Sequence, residues 1–138
     1  MNDDVTGFAT RLCKATNDHD LEALVDCFAA DYRNEAPAHP ARGFTGREQV
    51  RANWRLIFDG VPDVHAEVLR QHADGETLWT EWEMGGTRRD GSAHLMRGTI
   101  IFGVRQGRSR WARFYLEPVE EAAGTIGETV RRQVQRAP

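Results

Sequence analysis

The sequence predicts an α+β fold in which three helices pack across a curved, mainly antiparallel sheet. Two observations carry this. Within residues 5–58, three stretches space their apolar residues at helical intervals. Within residues 63–117, runs of alternating apolar and polar residues are separated by Asp74-Gly75, Asp90-Gly91 and Gln106-Gly107. Such a sheet must bury one face, and three helices laid on it make a cone with an internal cavity. The 138 residues read as one domain over 1–120 and a tail over 121–138.

Residues 5–17 predict a first helix, with Val5, Phe8, Ala9, Leu12 and Ala15 on one side. Asp20 caps a second through Leu21, Leu24, Val25 and Phe28. Residues 31–36 are extended and lead into a loop holding Pro37, Pro40 and Gly43, which excludes regular structure. Thr45 and Glu48 have the spacing of a capping box, and the helix after them carries Val50, Trp54, Ile57 and Phe58 and stops at Gly60. Strands are expected at about 63–72, 77–86, 93–105 and 109–117. Ile126, Val130 and Val134 give the tail a weak helical stripe, interrupted by Gly124 and Gly127.

A charged fraction of 28% with a net charge of −3 argues against nucleic acid or an anionic membrane as partner. No apolar run approaches membrane-spanning length. The acidic start, Met1-Asn2-Asp3-Asp4, lacks the pattern of a secretory signal. Cys13 and Cys27 fall on predicted helices and read as buried thiols of a cytoplasmic protein. No His, Asp or Glu cluster has metal-ligand spacing, so neither a metal nor a cofactor is expected.

The strand over residues 78–84 decides the reading of function. One face carries Trp79, Glu81 and Glu83; the other carries Leu78, Thr80, Trp82 and Met84. If Asp74-Gly75 and Asp90-Gly91 are two-residue turns, both glutamates share a face with Val64, Ala66, Val68, Met96, Ile100 and Phe102. If a turn is a three-residue loop with a glycine bulge, parity shifts and Trp82 and Met84 take their place. Burial of two carboxyls is costly, which favours the second geometry; turn chemistry leaves both open. A bulged loop at Gln106-Gly107 places Ala112, Phe114 and Leu116 inside. Arg97, Thr99, Arg113, Tyr115 and Glu117 then form an outer face suited to a homodimer interface.

The order of elements, with Phe44-Thr-Gly-Arg-Glu, Gly85-Gly-Thr, Arg97-Gly-Thr-Ile-Ile-Phe and Arg113-Phe-Tyr-Leu-Glu, resembles the SnoaL-like branch of the NTF2-like superfamily over roughly residues 5–120. That superfamily includes polyketide cyclases, ketosteroid isomerases, limonene-epoxide hydrolases, dehydratases and non-catalytic binding modules. Tyr32-Arg33-Asn34 resembles the Tyr-x-Asn with which the epoxide hydrolases hold water, and Glu81-Trp82-Glu83 falls at their inward Arg-x-Asp. The resemblance therefore implies inward glutamates. Phe114 stands where that family has its second Asp, so its catalytic triad is not present.

The chemistry expected is that of a cofactor-independent acid/base enzyme acting on a small hydrophobic metabolite. Glu83 would be the base, Glu81, about 6–7 Å away at its root, an acid of raised pKa, and Tyr32 and Asn34 the orienting pair. Trp54, Phe58, Trp79, Met96, Ile100 and Phe114 would line the substrate cavity, with His39 over its mouth. His19, His65, His72 and His94 read as solvated. A non-catalytic binding or dimerisation module, with outward glutamates, is the other reading.

Overall fold

The computed structural model describes residues 3–121 and 124–135; of the expected tail, 122, 123 and 136–138 lie outside the described residues, as do Met1 and Asn2. Helices α1 (Asp3–Thr6), α2 (Phe8–Asn17) and α3 (Leu21–Asp26) lead into strand β1 (Phe28–Glu35). A 3-10 turn (Pro40–Arg42), the short β2 (Phe44–Thr45) and helix α4 (Arg47–Gly60) follow. The chain then forms β3 (His65–Asp74), β4 (Thr77–Thr87), β5 (Ala93–Arg105) and β6 (Arg108–Pro118), and ends in α5 (Ile126–Val134). The six strands form one sheet in the order β2-β1-β6-β5-β4-β3. The expected α+β architecture is present.

The expected first helix is broken at Gly7, a weak helix former, into α1 and α2. Phe8, Ala9, Leu12, Ala15 and Thr16 of α2 are buried against the sheet. Asp20 caps α3 by accepting from the Ala23 amide at 3.1 Å. Thr45 does not cap α4: it belongs to β2, and the cap is Gly46 at φ 97°. A capping box of Thr125 with Glu128 starts α5. Ile126 and Val134 on that helix are exposed.

The expected four-stranded meander is extended on one side by β1, which pairs in parallel with β6, Asn34 opposite Ala112. That pairing folds the loop over residues 36–43 back alongside the end of β6.

Strand register reverses the expected direction of the glutamates. Arg89, Asp90 and Gly91 form a three-residue loop between Arg88 and Ser92, with Gly91 at φ 87°, so Trp82 pairs with Gly98 and Met84 with Met96. On the other side the turn is Gly75-Glu76, and the register shifts at Leu69. This one-residue bulge keeps Ala66 and Val68 opposite Met84 and Trp82. The inner face therefore carries Leu78, Thr80, Trp82 and Met84, all buried. The Trp82 indole donates to Thr80 Oγ1 at 2.6 Å, and the Thr80 hydroxyl donates to the Ile100 carbonyl at 2.6 Å, so no polar atom there is left dry and unpaired. Desolvation decides between the two parities: burying an indole with its N–H satisfied costs far less than burying two carboxylates.

At Gln106-Gly107 the turn has two residues, both at positive φ (54° and 77°), and the register shifts at Gly103/Val104. This puts Ala112 and Phe114 inside, as expected. Cys13 and Cys27 are both free thiols. Burial, as the largest effect on each, pushes both above the ordinary thiol range. Cys27, which is buried, is expected to react with an aromatic disulfide reagent at pH 8 only on unfolding, and Cys13 more slowly than a free thiol. Two prompt equivalents of released chromophore would contradict this packing.

Candidate functional site

Between α2, α4 and the inner face of the sheet lies a cavity of about 630 Å³. Its depth is apolar, walled by Leu12, Phe28, Trp82, Ile100 and Phe102. Most of its polar groups come from three places. Strand β1 alternates Tyr32 and Asn34 into the cavity; the 36–43 loop adds His39 and Arg42; and α4 presents Gln49 and Asn53 one turn apart.

Tyr32 is buried, and its hydroxyl donates to Asn34 Oδ1 at 2.7 Å. Burial alone holds the phenol well above its usual range. It therefore keeps its proton and serves as a fixed donor to Asn34. With Oδ1 occupied, the Asn34 Nδ2 amino group is the donor left for a ligand oxygen. Gln49 Nε2 donates to Asn53 Oδ1 at 2.8 Å, fixing a second amide pair on the facing helix.

At the mouth, His39 Nε2 is hydrogen-bonded to Glu117 Oε1, and Arg42 Nη1 lies 3.6 Å from Glu117 Oε2. A carboxylate can only accept, so Nε2 carries the proton and Nδ1 is the basic nitrogen of the neutral ring. Both side chains are about 40% exposed. The pair is open to water at a cavity that is otherwise mostly apolar.

Glu81 and Glu83 are outside this site. Glu81 accepts from Arg70 Nε at 2.9 Å and Glu83 from Arg97 Nε at 2.8 Å, both on the outer face. The cavity roles expected of them are corrected by strand parity, which turns them toward water and cationic partners. Trp79 follows them and is 48% exposed on that face. Phe58 also lies off the cavity wall, stacked on His19 at 4.9 Å and leaning on Trp54. Tyr32, Asn34, His39, Trp54, Met96, Ile100 and Phe114 do border the cavity. Glu117, expected on the outer face by alternation, instead turns to His39 and Arg42. His94, expected to be solvated, lines the cavity as well. Its even number places it with Met96 and Ile100 on β5, a signal present in the sequence. No comparable signal marks Gln49 or Asn53 among the polar residues of α4.

A curved sheet, helices across its concave face and a cavity between them define the cone of NTF2-like proteins. The chain belongs to the family of SnoaL-like domains, whose model matches residues 9–114. Among proteins of curated function none matches it. It is similar in structure to IdmH of Streptomyces antibioticus, thought to be a polyketide cyclase (TM-score 0.69, 22% identity, covering 80% of this chain and 90% of that one). It is also similar to a protein of Kribbella flavida thought to be a ketosteroid isomerase (TM-score 0.68, 20% identity, covering 98% and 90%). A third is a SnoaL-like protein of unknown function from Burkholderia thailandensis (TM-score 0.64, 22% identity, covering 87% and 98%). At these identities the likeness concerns the fold.

Proposed function

We propose that this protein is a cofactor-independent acid/base enzyme acting on a small hydrophobic metabolite in the cone cavity, by isomerisation, cyclisation, dehydration or water addition. One observation carries the reading: a carboxylate-held imidazole, His39 with Glu117, stands at the mouth of an apolar cavity that also holds the oriented amide of Asn34. His39 Nδ1 takes a proton from the carbon next to a substrate carbonyl. Asn34 Nδ2 donates to the oxygen on which charge develops, and Tyr32 holds that amide in place. Glu117 fixes the tautomer and balances the imidazolium. The apolar depth holds the rest of the molecule and excludes water.

The outward glutamates favour a second reading, a non-catalytic binding module whose cavity takes the same class of ligand. Deuterium uptake separates the two. In D2O, the enolisable bicyclic ketone 2-tetralone is expected to exchange its α-protons at least about 10²-fold faster with the protein than in buffer. Binding of the ketone with exchange at the buffer rate would leave only the binding module.

The outer face also supports a homodimer. Trp79 and Tyr115 are exposed there, at 48% and 40%, among Arg97, Arg113, Glu81 and Glu83. Mixed charge around exposed aromatics is self-complementary. Light scattering on the wild type, against Trp79→Glu, would show a dimer converted to a monomer. The two free thiols support a reducing, cytoplasmic setting.

A further inference from the structure

His94 is a polar group of this cavity that the proton chemistry above leaves unused. It is half-buried near the start of β5, on the inward side with Met96, and Met84, the register partner of Met96, borders the same space. The other amide, hydroxyl and charged side chains named in the wall have protein partners: Tyr32 has Asn34, Gln49 has Asn53, and His39 and Arg42 have Glu117. The His94 ring makes no hydrogen bond among the described residues. A half-buried imidazole on the cavity wall with no protein hydrogen bond has its polar capacity free for whatever fills the cavity.

Its place in the sheet sets the distance. Glu117 pairs with Arg97, and His94 lies three residues further along the same strand. Three residues of strand, about 10 Å, and one strand spacing, about 4.8 Å, put the two backbones about 11 Å apart. His94 therefore enters the cavity wall at a point of the sheet separate from that of Glu117, which holds His39. Burial first, and the Arg88 cation second, hold His94 below the usual imidazole range. Both effects favour the neutral ring, which offers one donor and one acceptor.

We propose that His94 reads a second oxygen function of the ligand, so that the molecules this cavity selects are apolar bicyclic or larger skeletons oxygenated at two opposite ends. One oxygen meets Asn34 and the His39–Glu117 pair; the other meets His94. This rests on the cavity being the ligand site, as proposed above, but not on catalysis there.

Calorimetric titration with two probes of one skeleton tests it: 2-naphthol, with one oxygen, and 2,6-dihydroxynaphthalene, with two at opposite ends. The wild type is expected to bind the diol at least about fivefold more tightly, the worth of one net hydrogen bond. In His94→Leu that preference should fall to about one while 2-naphthol affinity stays within about twofold. His94→Gln, which keeps a donor and an acceptor, should retain part of the preference and guards against a leucine variant that fails to fold. Equal affinities in the wild type, or a preference that survives His94→Leu, would overturn the role of His94 and leave the cavity reading standing. Binding of neither naphthol would overturn both. Diol preference without ketone exchange would uphold His94 in a binding module and remove the enzyme.

Discussion

Replacing Gly98 with alanine is expected to cost at least about 3 kcal/mol and to lower the melting temperature by about 10 °C or more. Gly98 sits in the middle of β5 at φ 151°, a conformation that side chains rarely adopt. A Cβ built there lies 2.1 Å from the carbonyl oxygen of Tyr115 and 2.9 Å from the Leu116 Cα, both backbone atoms of the neighbouring strand. Neither can move without breaking the β5–β6 ladder. Trp82 lies directly opposite Gly98 on β4, so the disturbance reaches the cavity wall from the same point. Against a total stability of about 5–15 kcal/mol, such a loss is large. Thermal and urea unfolding of the variant beside the wild type would measure it. A wild-type midpoint would mean that Gly98 does not hold this conformation against β6.

The second large effect concerns which carboxylate matters. Glu117→Gln is expected to lower deuterium uptake by 2-tetralone about 10²-fold or more, because the amide neither balances an imidazolium nor fixes the tautomer of His39. His39→Gln should do at least as much. The double change Glu81→Gln with Glu83→Gln should leave the rate within about twofold, since those side chains face Arg70 and Arg97 on the other side of the sheet. The comparison is internal, three carboxylates in one assay. A rate that falls with Glu81 and Glu83 but not with Glu117 would overturn the proposed site.

Those glutamates also show where a sequence stops being legible. Every strand of the meander, the helix over α4 and the cap at Asp20 follow from local chemistry: alternation, turn residues, an Asp before an apolar stripe. The facing of β4 does not, because Asp90-Gly91 suits loops of two or three residues, and one residue of difference turns every side chain over. Burial energetics favour Trp82 and Met84 inside, and the resemblance of Glu81-Trp82-Glu83 to an inward pair pulls the other way; the physical term prevails. The bulge at Leu69 has no mark in the sequence, since it exists only relative to β4. Thr45 matches a capping box by spacing alone, and the positive φ of Gly46 moves the helix start past it. Tyr32 and Asn34 are legible as a pair from their spacing on one strand. His39 and Glu117 are not, because what joins them is a parallel pairing between segments about 80 residues apart.

That separation bears on how the protein acquires its chemistry. The meander from β3 to β6 is built of neighbours in sequence and closes through short loops, whereas β1 meets β6 only when the two ends of the domain come together. Contacts of long sequence separation are the slow ones to form. The hydrogen bond between His39 and Glu117 spans 78 residues, and Asn34 rests on the same parallel pairing. A chain with its hairpins formed but β1 undocked would hold most of its sheet and none of the proposed proton-transfer site. In refolding, recovery of strand signal should therefore run ahead of recovery of activity, and the site becomes a clock for the last step of assembly.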